Sequence, residues 1–250
     1  MGELPIHSLA RGGATIAYRR SPGRGPGIVF LGGFKSDMTG TKAVALETFA
    51  RREGRAFVRF DYQGHGASSG AFRDGTVGTW AEDAVAVLDH LTEGPQVLVG
   101  SSMGGWLSLL AARARPERLA GLVLIAAAPD FTERMLLKGL SPGDRERLRR
   151  EGRLERPSQY SPEPSVFTWK LIEEGRDHLL LDKKLALPCP VRLLHGQSDP
   201  DVPWEYSLQI ANHLEAPEVI TTLIKGGDHR LSTTADIARL IATVEELLPE

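Results

Sequence analysis

Five short runs along the chain are apolar without alternation: GIVFLGG (27–33), AFVRFDY (56–62), QVLVG (96–100), LAGLVLIAAA (119–128) and PVRLLHG (190–196). Strands buried on both faces of a parallel sheet read this way, because neither face meets water. Other segments switch to helical spacing. Met103, Trp106, Leu107, Leu110, Ala111 and Ala114 fall on one face of a helix that Pro116 ends. Trp80, Ala84, Val87, Leu88 and Leu91 form a second face, and Ile237, Leu240, Ile241, Val244, Leu247 and Leu248 a closing one. Strands alternating with helices predict an α/β protein with a mostly parallel, doubly wound sheet.

One region breaks the rhythm. Residues 131–187 contain no run that reads as a strand, but a charged helical patch, SPGDRERLRREGRLER, followed by PSQYSPEPSVFTWK. An insertion of that length is too long for a plain loop. The expectation is a single domain, with a core of residues 1–130 and 188–250 and a mostly helical cap, 131–187, inserted over the carboxyl edge of the sheet. Leu136, Leu137, Leu140, Phe167, Trp169 and Leu171 are the candidates to line a substrate pocket between cap and sheet, while Trp106 can instead pack into the core.

The pattern G-x-S-x-G occurs twice, around Ser68 and around Ser102. A reactive serine needs a strained strand-to-helix turn that exposes its oxygen above the sheet, with glycines admitting close backbone approach. Ser68 sits in DYQGHGASSGAFRDG, with no helix directly after it. Ser102 has an apolar strand before it and an amphipathic helix after it. Ser102 is the candidate nucleophile, and Ser101 points elsewhere.

A serine hydroxyl needs a base, and the base needs an acid to orient it. Of seven histidines, His90 and His213 fall in predicted helices, His7 near the amino terminus and His178 in the expected cap. His65 and His195 lie near the active edge. His229, in the Gly-rich turn LIKGGDHRLS before the last helix, is best placed to project freely as a base. For the acid, Asp199 and Asp201 in LLHGQSDPDVPW and Asp130 at the end of LIAAAPD all remain open.

Composition narrows the partners. The chain of 250 residues is 41% hydrophobic and 25% charged with a formal net charge of −2, the balance of a water-soluble domain with a sizeable core. No basic stripe predicts nucleic-acid binding, and no apolar run is long enough to span a bilayer. Cys189 is the only cysteine, which rules out an intrachain disulfide and a cysteine zinc site. The opening MGELPIHSLARGG has neither a signal peptide's apolar stretch nor a transit peptide's Arg/Ser-rich character. The expected location is therefore the cytoplasm.

The chain resembles the α/β-hydrolase superfamily from about residue 13 to the end. LGGFKSD is similar to that family's oxyanion loop, FDYQGHGASSG to its glycine loop, GSSMGG to its nucleophile elbow, HGQSDPDVP to its acid loop and GGDHR to its histidine loop. The resemblance implies a Ser102–His229–Asp199 triad, since the first aspartate of the acid loop is normally the catalytic one. It also implies an oxyanion hole made by the backbone N–H groups of Phe34 and Met103, although Gly32-Gly33-Phe34 departs from the widespread His-Gly form. GSSMGGWL, PSQYS, CPVRLLHG and DHRLS…ADI resemble one branch in particular. That branch holds a mitochondrial palmitoyl-protein thioesterase and acyl-glucuronide esterase with its bacterial relatives.

The implied activity is cleavage of carboxylic esters or thioesters through an acyl-enzyme, on a small molecule or an acylated protein, with no metal or organic cofactor. Two narrower alternatives are a dedicated palmitoyl-protein thioesterase and an inactive ligand-binding member of the fold. A nucleotide-binding reading of GHGASS fails, because Ser69 takes the place of the last glycine and no helix starts there. A zinc hydrolase reading lacks H-E-x-x-H.

Overall fold

The structure is a computed structural model that describes residues 2–158 and 162–249. Residues 159–161, inside the stretch PSQYS, lie outside the described residues. The chain opens with β1 (His7–Arg11), β2 (Ala14–Ser21) and β3 (Arg24–Leu31), followed by α1 (Thr41–Arg52) and β4 (Arg55–Phe60). Two strand–helix exchanges follow: α2 (Val77–Leu91), β5 (Gln96–Ser101), α3 (Met103–Ala114) and β6 (Leu119–Ile125). After a π-helical turn (Thr132–Leu137) come α4 (Pro142–Glu151), β7 (Arg153–Arg156), β8 (Ser165–Thr168), α5 (Trp169–Gly175) and the two-residue β9 (Leu185–Ala186). The chain closes with β10 (Val191–Gly196), α6 (Glu205–His213), β11 (Leu214–Glu215), β12 (Val219–Ile224) and α7 (Thr234–Glu245).

Among the described residues the main sheet has eight strands, in the order β1-β2-β4-β3-β5-β6-β10-β12. The six from β4 to β12 run parallel, while β2 pairs antiparallel with both β1 and β4. Every residue of β5 and β10 is buried, as their continuous apolar runs predict. On one face Trp80 and Leu88 of α2, Trp106 and Leu110 of α3 and Ile210 of α6 close the core. On the other, Leu46 and Phe49 of α1 pack with Leu240 and Val244 of α7.

The strand order decides where chemistry can sit. From β3 the chain steps to β4 on one side, then returns to β5 on the other. The connections leaving β3 and β5 therefore diverge, which opens a crevice above their carboxyl ends. Gly32-Gly33-Phe34 leaves β3 and Ser102 leaves β5 at that point.

The segment 131–187 has helices, as its charged pattern predicts, but also an antiparallel ribbon of β7 with β8. That ribbon was not expected. In β7 only Leu154 is buried, so four residues carry too little alternation to read as a strand. Leu136, Leu137, Leu140, Leu148, Leu154 and Ile172 form a small core within this segment. Asp130 fastens its return to the sheet, accepting the Leu180 and Leu181 N–H groups at 2.8 and 2.9 Å.

The loop after β4 braces the crevice from the side. Buried Asp61 accepts the Met38 N–H at 2.6 Å and the Ala67 N–H at 2.8 Å. Ser68 is bonded into the same web: its hydroxyl donates to the Asp61 carbonyl at 2.5 Å and accepts the Ala17 N–H at 2.8 Å. His65, buried among Tyr62, Phe72 and Trp80, accepts the Lys35 N–H on Nε2 at 3.3 Å and faces the Gln63 carbonyl with Nδ1 at 3.3 Å. That pattern requires a neutral ring, and burial lowers the His65 pKa from 6.5 to about 4.

A group whose folded pKa lies below its unfolded one takes up its proton first in the unfolded chain. Stability contributed by neutral His65 is therefore complete above pH 6.5 and is lost as pH falls towards 4. The loss should reach up to about 3 kcal/mol. Urea unfolding between pH 4 and 8 checks this: His65→Gln, whatever its absolute stability, should show a shallower decline across that window than the unaltered protein.

Candidate active site

The turn from β5 into α3 places Ser102 at φ 56° and ψ −120°, a conformation L-residues rarely adopt. The Ser102 N–H donates to the Ile125 carbonyl at 2.8 Å, and its carbonyl accepts the Gly105 and Ala128 N–H groups at 2.9 and 3.1 Å. The flanking glycines let the helix approach the sheet. A Cβ on Gly104 would stand 2.1 Å from the Leu31 carbonyl oxygen, and one on Gly100 2.4 Å from the Gly104 carbonyl oxygen. Backbone is on the far side of both contacts, so no side chain can move aside.

His229 Nε2 lies 3.1 Å from Ser102 Oγ, and its Nδ1 lies 2.8 Å from Asp199 Oδ2. The structure thus brings together Ser102, His229 and Asp199 from three loops at the carboxyl ends of β5, β12 and β10. The Asp199 side chain is fully buried, and its other oxygen accepts the Asp201 and Val202 N–H groups at 2.8 and 2.9 Å. Burial alone would raise its pKa. Hydrogen bonds from His195 and His229, the nearby His229 charge and the Val202 N–H overrule that, and hold the carboxyl well below the usual carboxylate range.

The other candidates for acid and base are elsewhere or differently engaged. Asp130 is committed to the Leu180 and Leu181 amides and to Arg134, and burial raises its pKa against them. Asp201 lies beside Asp199 and His229. His178 pairs with Glu174 at 2.7 Å, His213 with the Gln209 carbonyl at 2.8 Å, and His7 lies tilted against Tyr18.

His195 is a participant the sequence left aside. It is fully buried, and its Nε2 faces both Asp199 Oδ2 at 3.1 Å and the Val202 carbonyl at 3.0 Å. Two acceptors require the proton on Nε2, so Nδ1 accepts the Ser207 hydroxyl at 2.6 Å. The Ser207 hydroxyl on α6 thereby fixes a ring that holds Asp199. A histidine near the end of a strand buried along its whole length is the signal in the sequence that could have marked it.

Gly33 packs against the serine turn: a Cβ there would be 3.4 Å from both Ser102 Cβ and the Ser101 carbonyl oxygen. The Gly33 N–H donates to Ser36 Oγ at 3.1 Å and the Lys35 N–H to His65, so the amides on either side of Phe34 are both committed. The Phe34 ring stacks on Phe167 of β8, with centroids 5.0 Å apart and planes within 2°.

A cavity of about 690 Å³ opens over Ser102 and His229. Of the expected lining residues, Leu136 and Phe167 border it, together with Phe34, Met103, Phe131 and Met135. Leu140 and Trp169 do not. Leu140 belongs to the small core of the 131–187 segment, and Trp169 packs there beneath the guanidinium groups of Arg149 and Arg176. Leu137 joins that core, while Leu171 and Trp106 join the main one. Apolar composition marked all of these alike; only the packing separates the residues that face the cavity from those that face each other.

Comparison with known proteins places this geometry in context. The model of the alpha/beta hydrolase family matches residues 28–243. The chain is 44% identical over 235 residues to the mouse mitochondrial palmitoyl-protein thioesterase ABHD10, covering 94% of this chain and 79% of that one. The solved structure of mouse alpha/beta hydrolase domain-containing protein 10 superposes with a TM-score of 0.91 at 43% identity, over 97% of this chain and 98% of that one. A putative hydrolase from Agrobacterium vitis S4 superposes with a TM-score of 0.93 at 41% identity, over 99% of both chains.

One expectation falls with these findings. The mouse, rat, bovine and human relatives are all named as mitochondrial, which points to mitochondria and overturns the cytoplasmic reading. That reading rested on the composition of the first residues and on a lone cysteine. No helix among the described residues is long and apolar enough to cross a membrane. With a matched model spanning most of its length, and relatives above 40% identity along nearly all of it, the chain belongs to the alpha/beta hydrolase family and is a hydrolase.

Proposed function

We propose that the protein hydrolyses carboxylic esters and thioesters by two-step acyl transfer, with Ser102 as nucleophile, His229 as general base and acid, and Asp199 as the group that orients His229. The observation that carries this reading is the unbroken line from Asp199 through His229 to Ser102, with spacings of 2.8 and 3.1 Å, ending on a strained turn at the cavity floor. Ser102 Oγ attacks the carbonyl while His229 Nε2 takes its proton. The buried Asp199 carboxylate keeps the other ring proton on Nδ1 and steadies the imidazolium that forms. The backbone N–H groups of Met103, at the positive end of α3, and of Phe34 hold the developing oxyanion. His229 then gives its proton to the leaving alcohol or thiol, and water repeats the sequence to free the acid.

The segment 131–187 acts in this reading as a cap that sets the acyl group. Phe34, Met103, Phe131, Met135, Leu136 and Phe167 offer apolar surface in a cavity with room for an acyl chain. Relatives named as palmitoyl-protein thioesterases favour a thioester with a long chain. A catalytically silent binding protein is disfavoured, since a binding site has no need of a strained serine within reach of a histidine–carboxylate pair.

Three outcomes are expected. A fluorophosphonate probe labels the peptide containing Ser102, and Ser102→Ala lowers turnover on the order of 10⁴-fold or more. Ser68→Ala lowers stability instead, because its hydroxyl ties β2 to the end of β4. Labelling at Ser68, or an active Ser102→Ala enzyme, removes the assignment.

Asp199→Asn keeps the fold by circular dichroism yet reduces kcat by roughly 10³- to 10⁴-fold. Asp130→Asn should chiefly loosen the 131–187 segment. If Asp201→Asn or Asp130→Asn proves the more damaging to kcat, the acid must be reassigned.

Turnover efficiency measured on esters and thioesters of two to sixteen carbons should climb and then fall. Each methylene buried adds roughly 0.8 kcal/mol, or about fourfold in rate, until the cavity is full. A flat profile, or a maximum at acetyl, contradicts the role given to the cap.

A further inference from the structure

The apolar wall accounts for only part of the cavity. Lys42, Arg156 and Arg230 also border it, from α1, from β7 and from the loop carrying His229. Several arginines elsewhere are paired: Arg11, Arg59, Arg115, Arg134, Arg176 and Arg192 each lie 2.6–3.2 Å from a carboxylate. Arg156 and Arg230 have no ion pair among the described residues, although both are exposed enough to reach one. Lys42 is half-buried, and its ammonium donates to the Arg230 carbonyl and lies 3.4 Å from Ser232 Oγ, neither of which carries charge.

The acidic groups on the cavity are engaged in other ways. Asp37 accepts the Thr39 N–H and hydroxyl at 2.7 and 2.5 Å. Asp201 lies with Asp199 and His229. Burial, with Arg230 adding to it, lowers the Lys42 pKa from 10.5 to about 8, while Asp228 and Asp236 pull the other way. Three cationic side chains, the half-buried Lys42 and the exposed Arg156 and Arg230, thus border the catalytic cavity with no carboxylate in ion-pair distance among the described residues.

We propose that Lys42, Arg156 and Arg230 form a subsite for a phosphate group on the leaving alcohol or thiol. The inference rests on the hydrolase reading above and adds to it the chemistry of the group released. Arg230 follows His229 directly, and His229 is the residue that protonates the leaving atom, so a charge carried a few bonds beyond that atom meets this set. Two guanidinium groups and an ammonium match a phosphate, with nearly two negative charges and three peripheral oxygens, better than a single carboxylate. In the reaction the bond from the acyl carbon to sulfur or oxygen breaks and the bond to Ser102 Oγ forms. The phosphorylated thiol or alcohol leaves with the proton from His229, and water completes the hydrolysis.

The test compares octanoyl thioesters in matched pairs, one short and one long: 2-mercaptoethanol against 2-mercaptoethyl phosphate, and pantetheine against 4′-phosphopantetheine. Within each pair only the phosphate differs, so the ratio of kcat/KM values is independent of the amount of folded enzyme. At low ionic strength the phosphorylated member of at least one pair should be favoured about fivefold to tenfold, a ratio that falls with added salt. The ratio should fall towards one in Arg230→Gln and in Lys42→Gln, and partway in Arg156→Gln. Ratios at or below one in both pairs, or ratios unchanged by all three substitutions, overturn the proposal. A mercaptosuccinate thioester favoured as strongly as the phosphate esters overturns the assignment to phosphate. Failure of the hydrolase reading has a separate signature: no turnover of the unphosphorylated thioesters, or turnover that survives Ser102→Ala.

Discussion

The backbone at Ser102 sits at φ 56° and ψ −120° because β5 must hand over to α3 within one residue while both stay packed against β3. Strain of this kind costs about 1–3 kcal/mol and persists only where surrounding contacts over-determine the geometry. Here they do. The Ile125 carbonyl, the Gly105 and Ala128 amides, and the glycine-only approach of α3 to the Leu31 carbonyl leave the turn no alternative path. Because Ser102 is fixed by the sheet itself, any group that is to act with it must be brought to the same edge.

The partners are brought there by loops of very different support. Asp199 is held on both carboxylate oxygens, by the Asp201 and Val202 amides on one and by His195 and His229 on the other. His195 is in turn held by Ser207, so α6 reaches the proposed acid through two side chains. Phe34 is positioned less directly, through Ser36, His65 and the web around Asp61. The proposed proton path is therefore anchored directly by bonds to the Asp199 carboxylate, and the proposed oxyanion loop by a hydroxyl, an imidazole and aromatic packing, with the Asp61 carboxylate one step further back.

The stack of Phe34 on Phe167 joins that loop to the ribbon of β7 and β8. The segment 131–187 keeps a small core of its own while lending Leu136, Phe167, Met135 and Arg156 to the cavity. Leu137, Leu140, Leu148, Leu154 and Ile172 serve its own cohesion, while Leu171, Leu180, Leu181 and Leu187 join the core under the sheet. The segment is joined to the sheet's core at Asp130, Phe131, α5 and the stretch from Leu179 to Leu187.

The sequence alone determined the strands β3, β4, β5, β6 and β10, the helices α2, α3 and α7, and that Ser102, unlike Ser68, sits on a turn from strand to helix. Buried parallel strands, amphipathic helices and a strand-to-helix turn are local patterns, written in consecutive residues. It also picked out His229, because a glycine-rich turn before the last helix is local too. The acid was open among Asp199, Asp201 and Asp130 until the resemblance singled out Asp199, and only the fold puts its carboxylate against His229. The same holds for His195, whose role depends on Asp199, Val202 and Ser207 arriving around one ring. The ribbon of β7 and β8 went unread because its strands are four residues long and only Leu154 among them is fully buried. Leu140 and Trp169 were indistinguishable from Leu136 and Phe167 by composition. Which way an apolar side chain faces in a small inserted segment is settled by packing between elements distant in sequence, and that only the tertiary structure decides.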